Sequence, residues 1–261
     1  MTLKLAERCE LMLRHEIFGI PVNALTYQDA VDWVAERVAT GTKSWILAIN
    51  PEKIMKALSD ERLRLLLLQA DLFIPDGIGV LWAGKILGRP FPQRVTGVDI
   101  FVLLVKEAAK RGWRIFLLGA PPGVSKEVSQ GLALEYPGLQ LVGYHHGYYQ
   151  AEEEAQVVSK IRAAAPDILF VAMGSPRQEQ FIVSNRTLLG VPVCMGVGGS
   201  FDVISGRKKR APLWMQRFGL EWSYRLFLEP KRIMRMSALP KFVILVLRKK
   251  LGMLKLEGDK K

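Results

Sequence analysis

The sequence predicts an α/β fold: a mostly parallel sheet flanked by helices, followed by a C-terminal helical, basic appendage. Two observations carry this. Apolar runs of strand length alternate with helix-length amphipathic segments over residues 14 to 200, the pattern of strands joined by covering helices. From residue 207 the strand-like runs stop and only helical patterns continue, RKKRAPLWMQRFGLEWSYRLFLEPKRIMR and SALPKFVILVLRKKLGML. With 261 residues, 49% of them hydrophobic, the chain is long enough to bury a large core.

Taken in order, strands are expected near 14 to 20, 43 to 49, 71 to 75, 113 to 119, 139 to 144, 167 to 173 and 191 to 196. Helices are expected near 26 to 39, 51 to 58, 60 to 69, 77 to 87, 97 to 111, 123 to 135, 151 to 165 and 176 to 187. Start signals support several of them. Thr26 stands three residues before Asp29, Asn50 precedes a proline suited to the first helical position, and Asp60 precedes ERLRLLLLQA. The division is expected near Gly206, giving a core of residues 1 to 206 and an appendage of residues 207 to 261.

Charge separates the same two parts. Of 37 Lys and Arg and 25 Asp and Glu, residues 207 to 261 hold 16 and 4, which leaves 21 of each sign in the rest. A neutral body with a basic tail implies an anionic partner for the tail, whether lipid head groups, a pyrophosphate or nucleic acid. Large apolar residues are mixed into the tail, as in Trp214, Trp222, Tyr224, Phe227 and Leu228, which suits a lipid interface better than nucleic acid. The apolar basic face could equally be buried on a second copy, so a homo-oligomer stays open.

Cys9 and Cys194 are the only cysteines, too few for a disulfide framework or a cysteine metal site, and this fits a reducing cytosol. The first twenty residues are interrupted by charges and do not read as a secretory signal. No apolar run approaches the roughly 20 residues of a spanning helix. His15, His145 and His146 lack partners at metal-ligand spacing, and no Asp-x-Asp motif occurs, so no metal and no cofactor are expected.

Ligands of open α/β sheets bind beyond the carboxyl ends of the strands. Four loops there are rich in glycine and small residues: FIPDGIGV (73 to 80), FLLGAPPG (116 to 123), FVAMGSPRQEQ (170 to 180) and VCMGVGGSFD (193 to 202). Such loops let backbone amides approach a phosphate, and together they suggest a nucleotide site. Its candidate residues are Gly119, Ala120, Tyr148, Gly174, Gly199 and Asp202. For any single loop the alternative is a tight turn. Neither GxGxxG nor GxxxxGK[ST] is spelled out.

Asp76 is either a helix cap or a carboxylate at the mouth of the site, where partial shielding from water would let it take a proton from a sugar hydroxyl. Asn50 has the same ambiguity. Arg94 either clamps a phosphate or is a solvated surface residue. Gln178 and Glu179 fall in the first turn of a helix, where either caps or holds a ligand hydroxyl. In the tail, Arg225, Arg232 and Arg235 share one helical face if Pro230 does not break the phase.

LAINPEK, FIPDGIGV, RVTGVD, FVAMGSPRQEQ and GVGGSFDVISGRKKRAPLWMQRFGLEW together resemble, in order and spacing over residues 15 to 240, the WecG/TagA/CpsF family of bacterial glycosyltransferases. The resemblance implies an inverting, metal-independent transferase with a Rossmann-like core. It implies transfer of N-acetylmannosamine or its uronic acid from a UDP donor to undecaprenyl-diphosphate-linked N-acetylglucosamine, in wall teichoic acid or related surface glycan synthesis. It matches Asp76 to the catalytic aspartate, and Asn50, Arg94 and Gln178 to active-site residues. Arg225, Arg232 and Arg235 match arginines that meet the lipid pyrophosphate, on an appendage that attaches the protein peripherally to the inner face of the membrane. One departure stands out: family members often carry Thr where this chain has Ala48, which bears on the choice of sugar. Other classes of reading are a nucleic-acid-binding protein gripping phosphates with its tail and a nucleotide-binding regulator without transferase activity.

Overall fold

The computed structural model describes residues 12–228 and 238–253, apart from the side chains of Arg217 and Arg225. The expected single strand over 14 to 20 is a hairpin, β1 (Arg14–Ile17) and β2 (Ile20–Asn23), paired antiparallel. The reversal falls at Phe18 and Gly19, with φ of 53° and 77°. A two-residue turn of type I′ needs positive φ at both positions, and the alternating pattern of residues 14 to 20 carries no sign that Phe18 supplies one of them.

Six further strands make one sheet: β3 (Ser44–Ile49), β4 (Leu72–Pro75), β5 (Arg114–Gly119), β6 (Gln140–His145), β7 (Ile168–Ala172) and β8 (Val193–Gly196). Their order is β4-β3-β8-β7-β5-β6, and every pair is parallel. The near-continuous apolar strands follow from burial on both faces. In β3, Ile46 and Ala48 join one core, while Trp45, Leu47 and Ile49 join the other.

The first core is completed by α1 (Tyr27–Thr40), α5 (Gly97–Arg111), α6 (Val124–Glu135) and α9 (Ser200–Ile204). Packed on the opposite face are α2 (Pro51–Ser59), α3 (Glu61–Leu67), α4 (Ile78–Ile86), α7 (Glu154–Ala164) and α8 (Arg177–Leu189). Three starts behave as their caps suggest. Thr26 Oγ1 accepts from the Asp29 amide in a reciprocal capping box, Asn50 Oδ1 accepts from the Lys53 amide at 2.9 Å, and Asp60 Oδ1 accepts from the Leu63 amide at 3.0 Å.

Beyond residue 206, α10 (Leu213–Arg217), α11 (Glu221–Leu228) and α12 (Ala238–Lys250) are described. Phe242 and Val246 of α12 are buried in the second core, and Phe242 meets Phe18 edge to face at 5.9 Å. The other side of α12 exposes Val243, Ile244 and Leu247 beside the basic run Arg248, Lys249 and Lys250. No helix among the described residues is long and apolar enough to cross a membrane.

Because Phe242 is fully enclosed and pins α12 to the hairpin turn, Phe242→Ala is expected to lower stability by about 3 kcal/mol. A urea unfolding midpoint equal to that of the wild type would show that α12 is not docked this way.

Candidate active site

At the carboxyl edge of the sheet four strands, β4, β8, β5 and β6, are prolonged by one more backbone hydrogen bond to a neighbour. The Asp76 amide donates to Ile49 O at 2.8 Å, Val197 N to Val171 O at 2.8 Å, Ala120 N to Ala172 O at 2.8 Å and Gly147 N to Ala120 O at 2.9 Å. The loops therefore leave the sheet from fixed points rather than as free segments.

Asp76 is placed by the β3–β4 register, in which Ile49 lies beside Pro75, so Asn50 and Asp76 follow as neighbours. It does not act as the cap of α4: the cap position is Gly77, with φ of 91° and no side-chain cap bond. Asn50, in contrast, does cap α2. Gly97 opens α5 against this corner. A Cβ built on it would stand 3.7 Å from Asp76 Oδ2 and 3.8 Å from the Ala48 methyl, so both border the start of α5. Val95 N donates to Pro75 O at 3.1 Å and holds the RVTGVD segment to the end of β4. Arg94, just before it, is half-buried and makes no hydrogen bond or ion pair among the described residues. Asp76, Asn50, Ala48 and Arg94 thus gather at the ends of β3 and β4.

Gln178 is buried at the next strand end. Its Oε1 accepts from the Gly198 amide at 3.1 Å and its Nε2 donates to Glu179 Oε1 at 3.1 Å. A Cβ on Gly196 would lie 2.6 Å from Gln178 Nε2, so glycine there is what lets the amide cover β8. Glu179 is itself fully buried and pairs with Lys53 Nζ at 2.9 Å. Burial works to raise the Glu179 carboxyl, and the Lys53 ammonium outweighs it, holding the group below the ordinary carboxylate range. Sequence reading weighed Glu179 only beside Gln178 and passed over Lys53. The signal was the placement of both in first turns, three residues after Asn50 and two after the helix-starting Arg177.

The glycine-rich loops divide in what they offer. Gly119 serves packing, since a Cβ would come within 2.5 Å of the Ala172 carbonyl, and the Ala120 amide is spent on Ala172. Tyr148 stands exposed beyond β6, after Gly147. The exposed amides of Gly174, Ser175 and Gly199 have no partner among the described residues. They lie just beyond the ends of the adjacent strands β7 and β8, an arrangement that could accept an anion. Asp202, in α9, pairs with Lys208 Nζ at 3.0 Å.

The arrangement is therefore a carboxylate at the ends of β3 and β4, with Arg94 on the segment held to β4, next to open amides beyond β7 and β8. This match of geometry to motif extends to the whole chain. Residues 15–255 match the model of the glycosyl transferase WecG/TagA/CpsF family. The chain belongs to the WecG/TagA/CpsF glycosyltransferase family. Relatives named N-acetylglucosaminyldiphosphoundecaprenol N-acetyl-beta-D-mannosaminyltransferase come from Bacillus subtilis strain 168, 42% identical over 78% of both chains, and Bacillus spizizenii strain W23, 38% identical over 87% of this chain and 90% of the relative. A third, from Staphylococcus aureus strain NCTC 8325, is 32% identical over 90% of this chain and 92% of its own.

In this glycosyltransferase the start of the appendage is tied to the core by charge. Arg207 forms a bidentate pair with Glu127, Lys208 meets Asp202, and Arg210 donates through both terminal nitrogens to Asp99. Asp99 also accepts from Thr96 Oγ1 at 2.6 Å and from Tyr27 OH at 3.2 Å. Three of the four residues of the RKKR run are thus met by core carboxylates, a use the charge count alone does not reveal. Further on, Gly219 packs against Ile78, where an added Cβ would meet its side chain at 2.8 Å, two residues from Asp76. Arg225 lies in α11 with its side chain outside the description, and Arg232 and Arg235 lie outside the described residues.

Burial pushes the Asp99 carboxyl up, but the hydrogen bonds from Arg210, Thr96 and Tyr27 outweigh it and hold it below its ordinary value of 3.8. A depressed carboxylate contributes stability above that value and loses it as pH falls further. Asp99→Asn is therefore expected to melt below the wild type at pH 7, with the gap closing as pH drops under 3.8. A gap that persists unchanged at pH 3, read by thermal melts of both proteins, would contradict this role.

Proposed function

We propose that the protein is an inverting, metal-independent transferase that moves N-acetylmannosamine from a UDP donor to undecaprenyl-diphosphate-linked N-acetylglucosamine, in wall teichoic acid or related surface glycan synthesis. The observation that carries the reading is the placement of Asp76: fastened by its own amide to Ile49, with Oδ2 facing the start of α5 beside Ala48. The names of the relatives supply the sugar and the lipid-linked acceptor.

The reaction is a single displacement. Asp76 accepts the proton of the acceptor hydroxyl, the oxygen forms a bond to the anomeric carbon, and the bond from that carbon to the UDP oxygen breaks with its electron pair leaving on the diphosphate. Charge gathering on UDP is met by Arg94, which has no protein anion to neutralise it among the described residues, and by the open amides of Gly174, Ser175 and Gly199. Asn50 and Gln178 shape the walls, and Tyr148 offers an exposed ring near the β5 loop for the base. Ala48 brings a methyl, not a hydroxyl, to the Asp76 corner, so its side chain offers the sugar no hydrogen bond there.

The lipid-bound acceptor is reached through the appendage. Trp214, Phe218, Trp222 and Phe227 are exposed along α10 and α11, and α12 adds an exposed apolar strip next to Arg248, Lys249 and Lys250. Exposed aromatics beside basic residues suit the inner surface of an anionic membrane. Arg225, Arg232 and Arg235 then receive the acceptor pyrophosphate.

Asp76→Asn is expected to fold normally and to lower kcat at least about 100-fold, the scale of a lost general base. Near-normal turnover of UDP-N-acetylmannosamine with the lipid-linked acceptor would remove Asp76 from the mechanism. Excess EDTA is expected to leave the wild-type rate unchanged. Loss of activity restored by a divalent cation would show that a metal, not the arginine and amides, meets the diphosphate charge.

A further inference from the structure

The buried pair of Lys53 and Glu179 has no step in the mechanism above, yet it sits in its midst. Lys53 follows β3 and Glu179 follows β7, so their contact at 2.9 Å reaches across the end of β8, which lies between those strands. As a stabilising device alone it is a poor choice, because two buried charges are commonly replaced by apolar residues at no loss of stability. It also leaves a defect: Glu179 Oε2 is buried without a hydrogen-bond partner.

What the pair does achieve is orientation. Glu179 Oε1 accepts from both Lys53 Nζ and Gln178 Nε2. The Gln178 amide is thereby fixed with its nitrogen toward Glu179, leaving Oε1 to accept the Gly198 N–H at 3.1 Å. With Gly198 drawn inward and Ser200 N bonded to Val197 O, the exposed Gly199 amide is the one left open in this turn. Nor can the amide drift toward β8, since its nitrogen already occupies the space a Cβ on Gly196 would need.

We infer that Lys53 and Glu179 are positioning residues of the transfer reaction: they set the Gln178 side chain, and through it the 197–199 turn that receives the donor diphosphate. This rests on the transferase reading for its last link only. The first link, from ion pair to turn, is a property of the protein without ligand.

The test is the double variant Lys53→Met with Glu179→Met, which removes both charges and keeps the volume. It is expected to melt no lower than the wild type, to exchange the Gly198 amide proton about tenfold faster or more, and to lose kcat by a similar factor with the acceptor KM unchanged. Wild-type kcat together with wild-type Gly198 protection in the folded double variant would overturn the proposal and make the pair purely structural. Should the double variant fail to fold, Glu179→Gln, which keeps size and an acceptor, is read by the same two measurements against the same outcomes. If the wild type transfers no sugar to the lipid-linked acceptor, the function proposed above fails. Gly198 exchange then decides the positioning claim alone, unchanged protection in the variant refuting it.

Discussion

The backbone hydrogen bond from the Asp76 amide to Ile49 O, with its counterparts at Val197, Ala120 and Gly147, is what the site depends on. Parallel pairing makes all six strands end at one edge, but a shared edge does not by itself fix side chains in the loops. One further bond past the end of β4, β8, β5 or β6 converts a loop residue into an extension of the sheet, with the rigidity of a doubly buried core behind it. Asp76 therefore inherits its position from the β3–β4 register, and Gly199 from β8 and the Gln178 brace.

Charge is distributed to serve that geometry. The Asp76 corner at the ends of β3 and β4 adjoins the amide edge beyond β7 and β8, and Lys53, Glu179 and Gln178 bridge from β3 to β7 across the end of β8. On the far side of the Asp76 corner, the capping residues of α5 are held by Tyr27 and Arg210, while Gly219 rests on Ile78. The appendage is thus not merely a basic tail. Its first residues contact the elements that frame the carboxylate, so docking of the tail and the shape of the site are physically coupled.

Much of this was legible in the sequence. Alternation of apolar runs with amphipathic segments gave the α/β class, and cap residues such as Thr26, Asn50 and Asp60 located helix starts because the cap bond is local. Asp76 and Arg94 were legible as candidates because strand-end loops are where a parallel sheet offers chemistry. Three things were hidden. The hairpin at Phe18 and Gly19 was hidden because a non-glycine residue adopts positive φ there. The Lys53–Glu179 pair was hidden because its partners are 126 positions apart and meet only once β8 is inserted between β3 and β7. Likewise, the RKKR run counts toward a basic tail expected to meet an outside anion, because Glu127, Asp202 and Asp99, which meet three of its residues, lie earlier in the chain. Net charge is a local count, whereas neutralisation is a tertiary fact.

The central claim is that Asp76 stands where the acceptor hydroxyl loses its proton. A structure of the Asp76→Asn variant with UDP-N-acetylmannosamine and a soluble lipid-diphosphate N-acetylglucosamine analogue addresses it most directly. The account predicts the attacking hydroxyl within about 3 Å of the residue 76 side chain and the diphosphate against the Gly174 and Gly199 amides. A hydroxyl held by another base, with residue 76 out of reach, would contradict it.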